Sequence, residues 1–265
     1  MRRILVIGIG AGDPRHMTVE AIEALNAADA LFLLDKGGAK ADLMQVREAI
    51  CDRFLTNPAC RRVIAPSPPR DAGGDYRAGV DAWHAEKAAL YGAMIRDELG
   101  PEETGAILVW GDPALYDSTL RILDAIRAAG TVSFETRVIP GISAAQALAA
   151  AHGIPLNRIG VPVHFTTGRK IREAMPPADS VVFLDSGEAL AEIAADGVDV
   201  FWGAYLGTPD EVLVAGALAD VRDTILRIRA EKRAAKGWIM DIYLLRRRED
   251  PAEAQPSKSI ARSGS

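Results

Sequence analysis

Two rhythms alternate along the first 140 residues. Stretches carrying Val, Ile, Leu or Phe at Arg3–Ile9, Ala30–Leu34, Arg62–Ala65, Ala106–Trp110 and Val132–Ile139 read as strands of a buried sheet. The segments between them predict helices over Thr18–Ala28, Leu43–Phe54, Tyr76–Leu99 and Ser118–Ala129, with Thr18 placed to cap the first. In the long third helix, Val80, Trp83, Lys87, Leu90, Met94 and Ile95 fall near one stripe. Strand and helix in strict alternation predict a parallel α/β sheet, with ligands bound beyond the carboxyl ends of its strands.

After residue 140 the rhythm changes. Ser143–His152 is a strong helix former closed by Gly153 and Pro155. Strands are then predicted at Val161–Phe165, Ser180–Leu184, Val198–Leu206, Val212–Ala215 and Trp238–Arg246, with only two or three helices among them. That pattern implies a mixed sheet. The expected organisation is therefore an N-terminal parallel-sheet α/β domain over 1–141, a mixed-sheet α+β domain over 142–249, and a polar, disordered tail over 250–265. The Pro- and Gly-rich stretch Pro66–Asp75 cannot hold regular structure and is expected to wall or cover a site.

Composition narrows the classes. The net charge of −5 over 265 residues speaks against a nucleic-acid partner, which needs a basic face. No apolar run reaches the roughly 18–20 residues that span a bilayer. The apolar start ends in Gly-Asp-Pro without a cleavage-like site, so a cytoplasmic location is expected. Cys51 and Cys60 form no metal-binding or redox motif; they read as packing residues, and no metal is expected.

Chemistry concentrates in three loops that each follow a predicted strand: Gly8–Pro14 (GIGAGDP), Gly111–Tyr116 (GDPALY) and Pro140–Ser143 (PGIS). Their glycines allow backbone to approach a small ligand, and together they suggest one shared pocket. A dinucleotide site is the first rival, because Asp35 lies at the spacing of a ribose-binding acid. The third glycine is one residue early, however, and Asp13-Pro14 separates the loop from the helix, which removes the helix-end amides a pyrophosphate needs. No Gly-Lys-Ser/Thr sequence supports a nucleoside triphosphatase, and no nucleophile elbow supports a hydrolase.

Taken in order, the first loop with Thr18, Glu20 and Ala21 after it, Trp110–Tyr116, and Val138–Leu156 resemble the tetrapyrrole methylases. Gly207–Glu211 (GTPDE) followed by Gly216–Leu218 (GAL) is similar to a late pattern of the same family. The resemblance implies a two-domain fold, a small tetrapyrrole acceptor, S-adenosylmethionine as methyl donor with S-adenosylhomocysteine as product, and a homodimer. It implies cofactor contacts at Pro14, Trp110, Gly111, Asp112, Leu115, Tyr116, Ser143, Ala144, Asp185, Leu206 and Trp238. Two positions depart from the family: Trp110 stands where Gly is frequent, and Asp185 where Met is common.

The segments Asp75–Lys87, His164–Arg169 and Phe201–Asp210 look closer to the branch of aerobic cobalamin synthesis that couples C-1 methylation to loss of acetate. Acetate loss calls for a base, and His84, His164 and Asp35 are the candidates; His16 and His152 read as structural. Lys36, Arg70, Arg169 and Lys170 lie in loop-like positions suited to the carboxylates of such a substrate.

Overall fold

The computed structural model describes residues 1–35, 37, 41–69 and 76–248. The expected disordered tail lies outside the described residues, as do Lys36, Arg70 and positions 70–75 of the expected covering loop.

The first sheet joins β1 (Arg3–Gly8), β2 (Ala30–Asp35), β3 (Arg61–Pro66), β4 (Thr104–Val109) and β5 (Glu135–Ile139) in the order β3-β2-β4-β1-β5, all parallel. Helices α1 (Val19–Asn26) and α2 (Ala41–Phe54) cover one face through Ala21, Leu25, Ile50 and Cys51. Helices α3 (Tyr76–Glu98) and α4 (Thr119–Ala129) cover the other through Tyr91, Ile95, Ile122 and Ile126. Thr18 caps α1 as its sequence predicts, accepting from the Ala21 amide at 3.0 Å. Strand β5 starts later than the stretch Val132–Ile139 suggests: its pairing with β1 begins at Glu135, and Val132 and Phe134 pack in the core instead.

Strand β4 is central, and the chain leaves β2 and β4 toward opposite faces, into α2 and α4 respectively. Pairing between β2 and β4 covers only Ala30–Phe32 against Gly105–Ile107. Beyond this the sheet forks: β2 stays with β3 up to Asp35, and β4 stays with β1 up to Val109. A crevice of this kind, at a reversal of winding, is where open α/β sheets bind ligands.

The second sheet is mixed, as predicted. It joins β6 (Val163–Thr167), β7 (Asp179–Phe183), β8 (Val198–Ala204), β9 (Val212–Ala217) and β10 (Asp241–Arg247) in the order β6-β7-β10-β8-β9, with β6 and β7 parallel and the other pairs antiparallel. Helices α6 (Gly168–Glu173), α7 (Glu188–Glu192) and α8 (Leu218–Lys236) pack on one face. The opposite face receives α5 (Ala144–His152), whose Ala145 and Leu148 meet Val181, Ile242 and Leu244, together with Ala11 from the loop after β1. Ser143 caps α5 in a complete capping box with Gln146, and Gly153 closes it in a left-handed conformation.

Candidate active site

The three glycine loops converge. A Cβ on Gly8 would lie 2.6 Å from the Gly141 amide nitrogen and 2.9 Å from the Gly111 carbonyl oxygen. One glycine from each loop is therefore needed for main chain to touch main chain. Gly10 and Gly111 exchange backbone hydrogen bonds at 2.8 and 3.3 Å. Asp112 completes the joint: one carboxylate oxygen accepts from Ala114 N–H at 2.8 Å and the other from Gly141 N–H at 2.9 Å.

The first loop also seals against the second lobe. A Cβ on Gly12 would meet the Leu206 carbonyl oxygen at 2.4 Å, and one on Gly207 the Asp13 nitrogen at 2.6 Å. His16 is part of this seam rather than exposed: its Cβ fills the space beside Gly10 and its ring approaches Gly207. Arg15, hydrogen-bonded to the Asp13 carboxylate, holds that carboxyl below the usual range.

Between the lobes lies a cavity of about 380 Å³, within the range of roughly 300–1,000 Å³ typical of small-molecule sites. Trp110, Gly111, Asp112, Leu115, Tyr116, Ser143, Ala144, Leu206 and Trp238 all line it. Tyr116, Leu184 and Tyr205, also in its wall, are the non-glycine residues at positive φ among those described (54°, 52° and 51°). Such strain gathers at functional sites. A larger hollow, about 570 Å³, opens at the far end of the first sheet among Arg3, Glu20, Glu135 and Arg137, away from every glycine loop.

Two expected cofactor contacts are not in the cavity wall. Pro14 opens a short 3-10 turn (Pro14–His16) behind the seam. The Asp185 carboxylate turns inward to cap α7, accepting from the amides of Gly187, Ala189 and Leu190 and from the Tyr243 hydroxyl at 2.8–3.2 Å. Its neighbours Phe183 and Leu184 face the cavity instead.

The candidate bases do not line the cavity either. Asp35 follows Leu34 on β2, so its side chain points to the sheet face opposite Phe32 and Leu34; it is exposed and accepts from Gly37 N–H. His164 alternates with Phe165, which stacks on Phe183, so the exposed imidazole faces away. His84 is half-buried against the Trp83 ring, on the helical stripe that continues through Lys87 and Tyr91 into the cavity wall. Arg169 and Lys170 are exposed on α6, outside the wall. His152 binds the Trp202 carbonyl, a structural role as expected.

The wall holds Lys87, from the predicted stripe of α3, and polar groups that periodicity did not single out: Arg47, Tyr91, Asp117 and Asp241. Asp241 belongs to a buried network in which it accepts from Arg229 at 2.8 Å and from the Trp202 indole at 2.9 Å. Arg229 also donates to the carbonyls of Asp185 and Ser186, tying α8 to the turn that carries Leu184. Trp238, ring edge against Tyr205 at 5.2 Å, has a buried indole N–H with no acceptor among the described residues. A glycine-lined backbone cradle with an unanswered donor fits a polar nucleoside-type cofactor. It lacks the helix-end amides of a dinucleotide fingerprint, since α1 begins only at Val19.

This is the arrangement of a two-lobed methylase, and the chain belongs to the tetrapyrrole (corrin/porphyrin) methylases, whose family profile matches residues 3–222. Among individual proteins, it is 51% identical over 94% of its length, and 97% of the relative's, to precorrin-6A synthase [deacetylating] of Sinorhizobium sp. A solved putative cobalamin synthesis related protein (CobF) from Corynebacterium diphtheriae superimposes with a TM-score of 0.81 at 39% identity, covering 94% of this chain and 100% of that one. Uroporphyrin-III C-methyltransferase from Thermus thermophilus, solved with S-adenosylhomocysteine, shares the fold at a TM-score of 0.56 and 18% identity, covering 92% and 91% of the two chains. No helix among the described residues is long and apolar enough to cross a membrane.

Proposed function

We propose that the protein is an S-adenosylmethionine-dependent C-methyltransferase of cobalamin biosynthesis that converts precorrin-5 to precorrin-6A by methylation at C-1 with release of acetate. The observation that carries the substrate assignment is the 51% identity, sustained over nearly the whole chain, to a deacetylating precorrin-6A synthase.

The cavity supports the cofactor. Gly111, Ser143 and Ala144 would bring main chain against it, the Trp238 indole would donate to it, and Leu115, Tyr116 and Leu206 would shut out water. When bound, S-adenosylmethionine supplies an electrophilic methyl group for the ring carbon. The chain then has to align donor and acceptor within about 3–3.5 Å, which rigid loops achieve without a nucleophilic side chain.

Acetate loss needs water to add to the acetyl carbonyl and give up a proton. The bond to the ring then breaks, and acetate leaves while the electron pair stays on C-1 to receive the methyl. His84 is our candidate for the proton acceptor, because its helical stripe leads into the cavity. The family resemblance supports a homodimer acting in the cytoplasm.

Incubation of the protein with S-adenosylmethionine and precorrin-5, followed by mass spectrometry, tests this reading. Methylated product, S-adenosylhomocysteine and acetate are expected in equal amounts. Methylation without acetate would remove the deacetylating assignment, and failure to bind S-adenosylmethionine in calorimetry would remove the reading altogether.

A further inference from the structure

The fork in the first sheet has chemistry of its own. Where β2 leaves β4, Arg47 reaches in from α2 and its Nε donates to the Leu108 carbonyl at 3.4 Å. Tyr91 arrives from α3 on the opposite face, and Asp117 and Thr119 stand at the start of α4. Lys87, one turn before Tyr91, places its ammonium 3.9 Å from the centre of the Trp83 ring. Trp83 is itself held by a hydrogen bond from its indole to the Pro68 carbonyl at 3.0 Å. Phe32, Leu34, Ile107 and Val109 supply apolar walls.

Among the described residues, two cations thus line this branch against one carboxylate, and one oxygen of that carboxylate, Asp117 Oδ1, accepts from the Thr119 amide at 2.6 Å. Burial holds the Arg47 guanidinium below its ordinary pKa, only partly offset by Tyr91 and Asp117. A desolvated guanidinium gains most from a planar anion, which it can bind with two parallel hydrogen bonds.

We propose that the branch of the cleft between the diverging ends of β2 and β4 receives a carboxylate-bearing arm of the macrocyclic substrate, with Arg47 at its inner end and Lys87 nearer the mouth. The proposal rests on the methyltransferase reading above and deepens it: the glycine cradle holds the donor, and the fork sets how the acceptor ring is turned toward it. Lys87 and the pinned Trp83 would guide the arm inward, and Arg47 would fix it.

The test compares Arg47→Gln, Lys87→Gln, Lys87→Glu and Lys87→Arg with the unaltered protein. KM and kcat for precorrin-5 are measured beside S-adenosylmethionine affinity by calorimetry. Arg47→Gln and Lys87→Gln are each expected to raise KM about tenfold or more, the loss of one charge-assisted contact. Lys87→Glu should raise it further and Lys87→Arg should restore it, with cofactor affinity held within about twofold throughout. If Arg47→Gln fails to fold, the half-buried Lys87 series decides alone. Unchanged KM in the Lys87→Gln and Lys87→Glu variants, with the unaltered protein active, overturns this inference and leaves the methyltransferase reading standing. Inactivity of the unaltered protein toward precorrin-5 removes both.

Discussion

The Gly141 amide donates to Asp112 Oδ2 at 2.9 Å, fastening the loop after β5 to the loop after β4 across β1. The carboxylate is thus committed to holding two walls of the cavity together. Asp112→Ala leaves a half-buried amide without its acceptor, at a cost of about 1–3 kcal/mol. We expect S-adenosylmethionine affinity to fall at least tenfold and thermal stability to drop. Calorimetry and a melting curve check both, and Asp112→Asn should keep part of each.

Gly8 tests the glycine joint without the complication of a left-handed backbone. An alanine methyl there would overlap Gly141 and Gly111 main chain, which has no side chain that can swing aside. Gly8→Ala is expected to lose about 1–3 kcal/mol in urea unfolding and to abolish cofactor binding. Gly130, with open space where its Cβ would stand but φ +65°, serves as a control that probes backbone strain alone.

Arg229 and Asp241 form a buried ion pair at 2.8 Å, with side chains 9% and 5% exposed. Removing one partner strands a charge, so Arg229→Met should cost about 3–5 kcal/mol. For a chain of this size that corresponds to a fall in Tm of roughly 10 °C. The double change Arg229→Met with Asp241→Asn should recover part of it, because the stranded charge is gone. Differential scanning calorimetry of the four combinations gives the coupling.

His84→Ala addresses the candidate base. A general base contributes about 10²–10⁴-fold, so acetate release should slow by at least a hundredfold while S-adenosylmethionine affinity is unchanged. The pH profile of kcat should also lose its acidic limb. Full activity in His84→Ala would assign the proton elsewhere.

Glu103 gives a pH signature outside the site. Its carboxylate accepts from Arg61 at 2.7 Å and from the Gly100 amide, which brings its pKa down to about 2. A depressed carboxyl contributes stability that is complete above its unfolded value, near 4.5, and is lost as pH falls toward 2. Glu103→Gln should therefore flatten the fall in unfolding free energy between about pH 4.5 and 2. Acid titrations of both proteins by circular dichroism measure the difference; being an exposed pair, it will be small.

Strands and helices were readable because their apolar periods are strong, and the loops because glycine and proline mark strand ends. Boundaries moved where residues pack in the core ahead of the ladder, as Val132 and Phe134 do before β5, or where the backbone turns to positive φ, as at Tyr205, which ends β8 after Ala204. The fork cluster was missed for another reason. Arg47 and Tyr91 belong to helices on opposite faces of the sheet, and only the incomplete pairing of β2 with β4 brings them together. A signal existed: Lys87 interrupts an apolar stripe, and Arg47 lies on the same face of α2 as Met44 and Cys51. Asp185 was expected at the cofactor from its place in a motif where family members commonly carry Met; a carboxylate there accepts instead from the amides at the start of α7.

At Gly12 and Gly207 the lobes meet so closely that a methyl group on either would run into main chain of the other. A side chain at either position would therefore wedge the lobes apart and widen the cavity between them. The gape of these jaws is thus tied to two side chains that glycine leaves out.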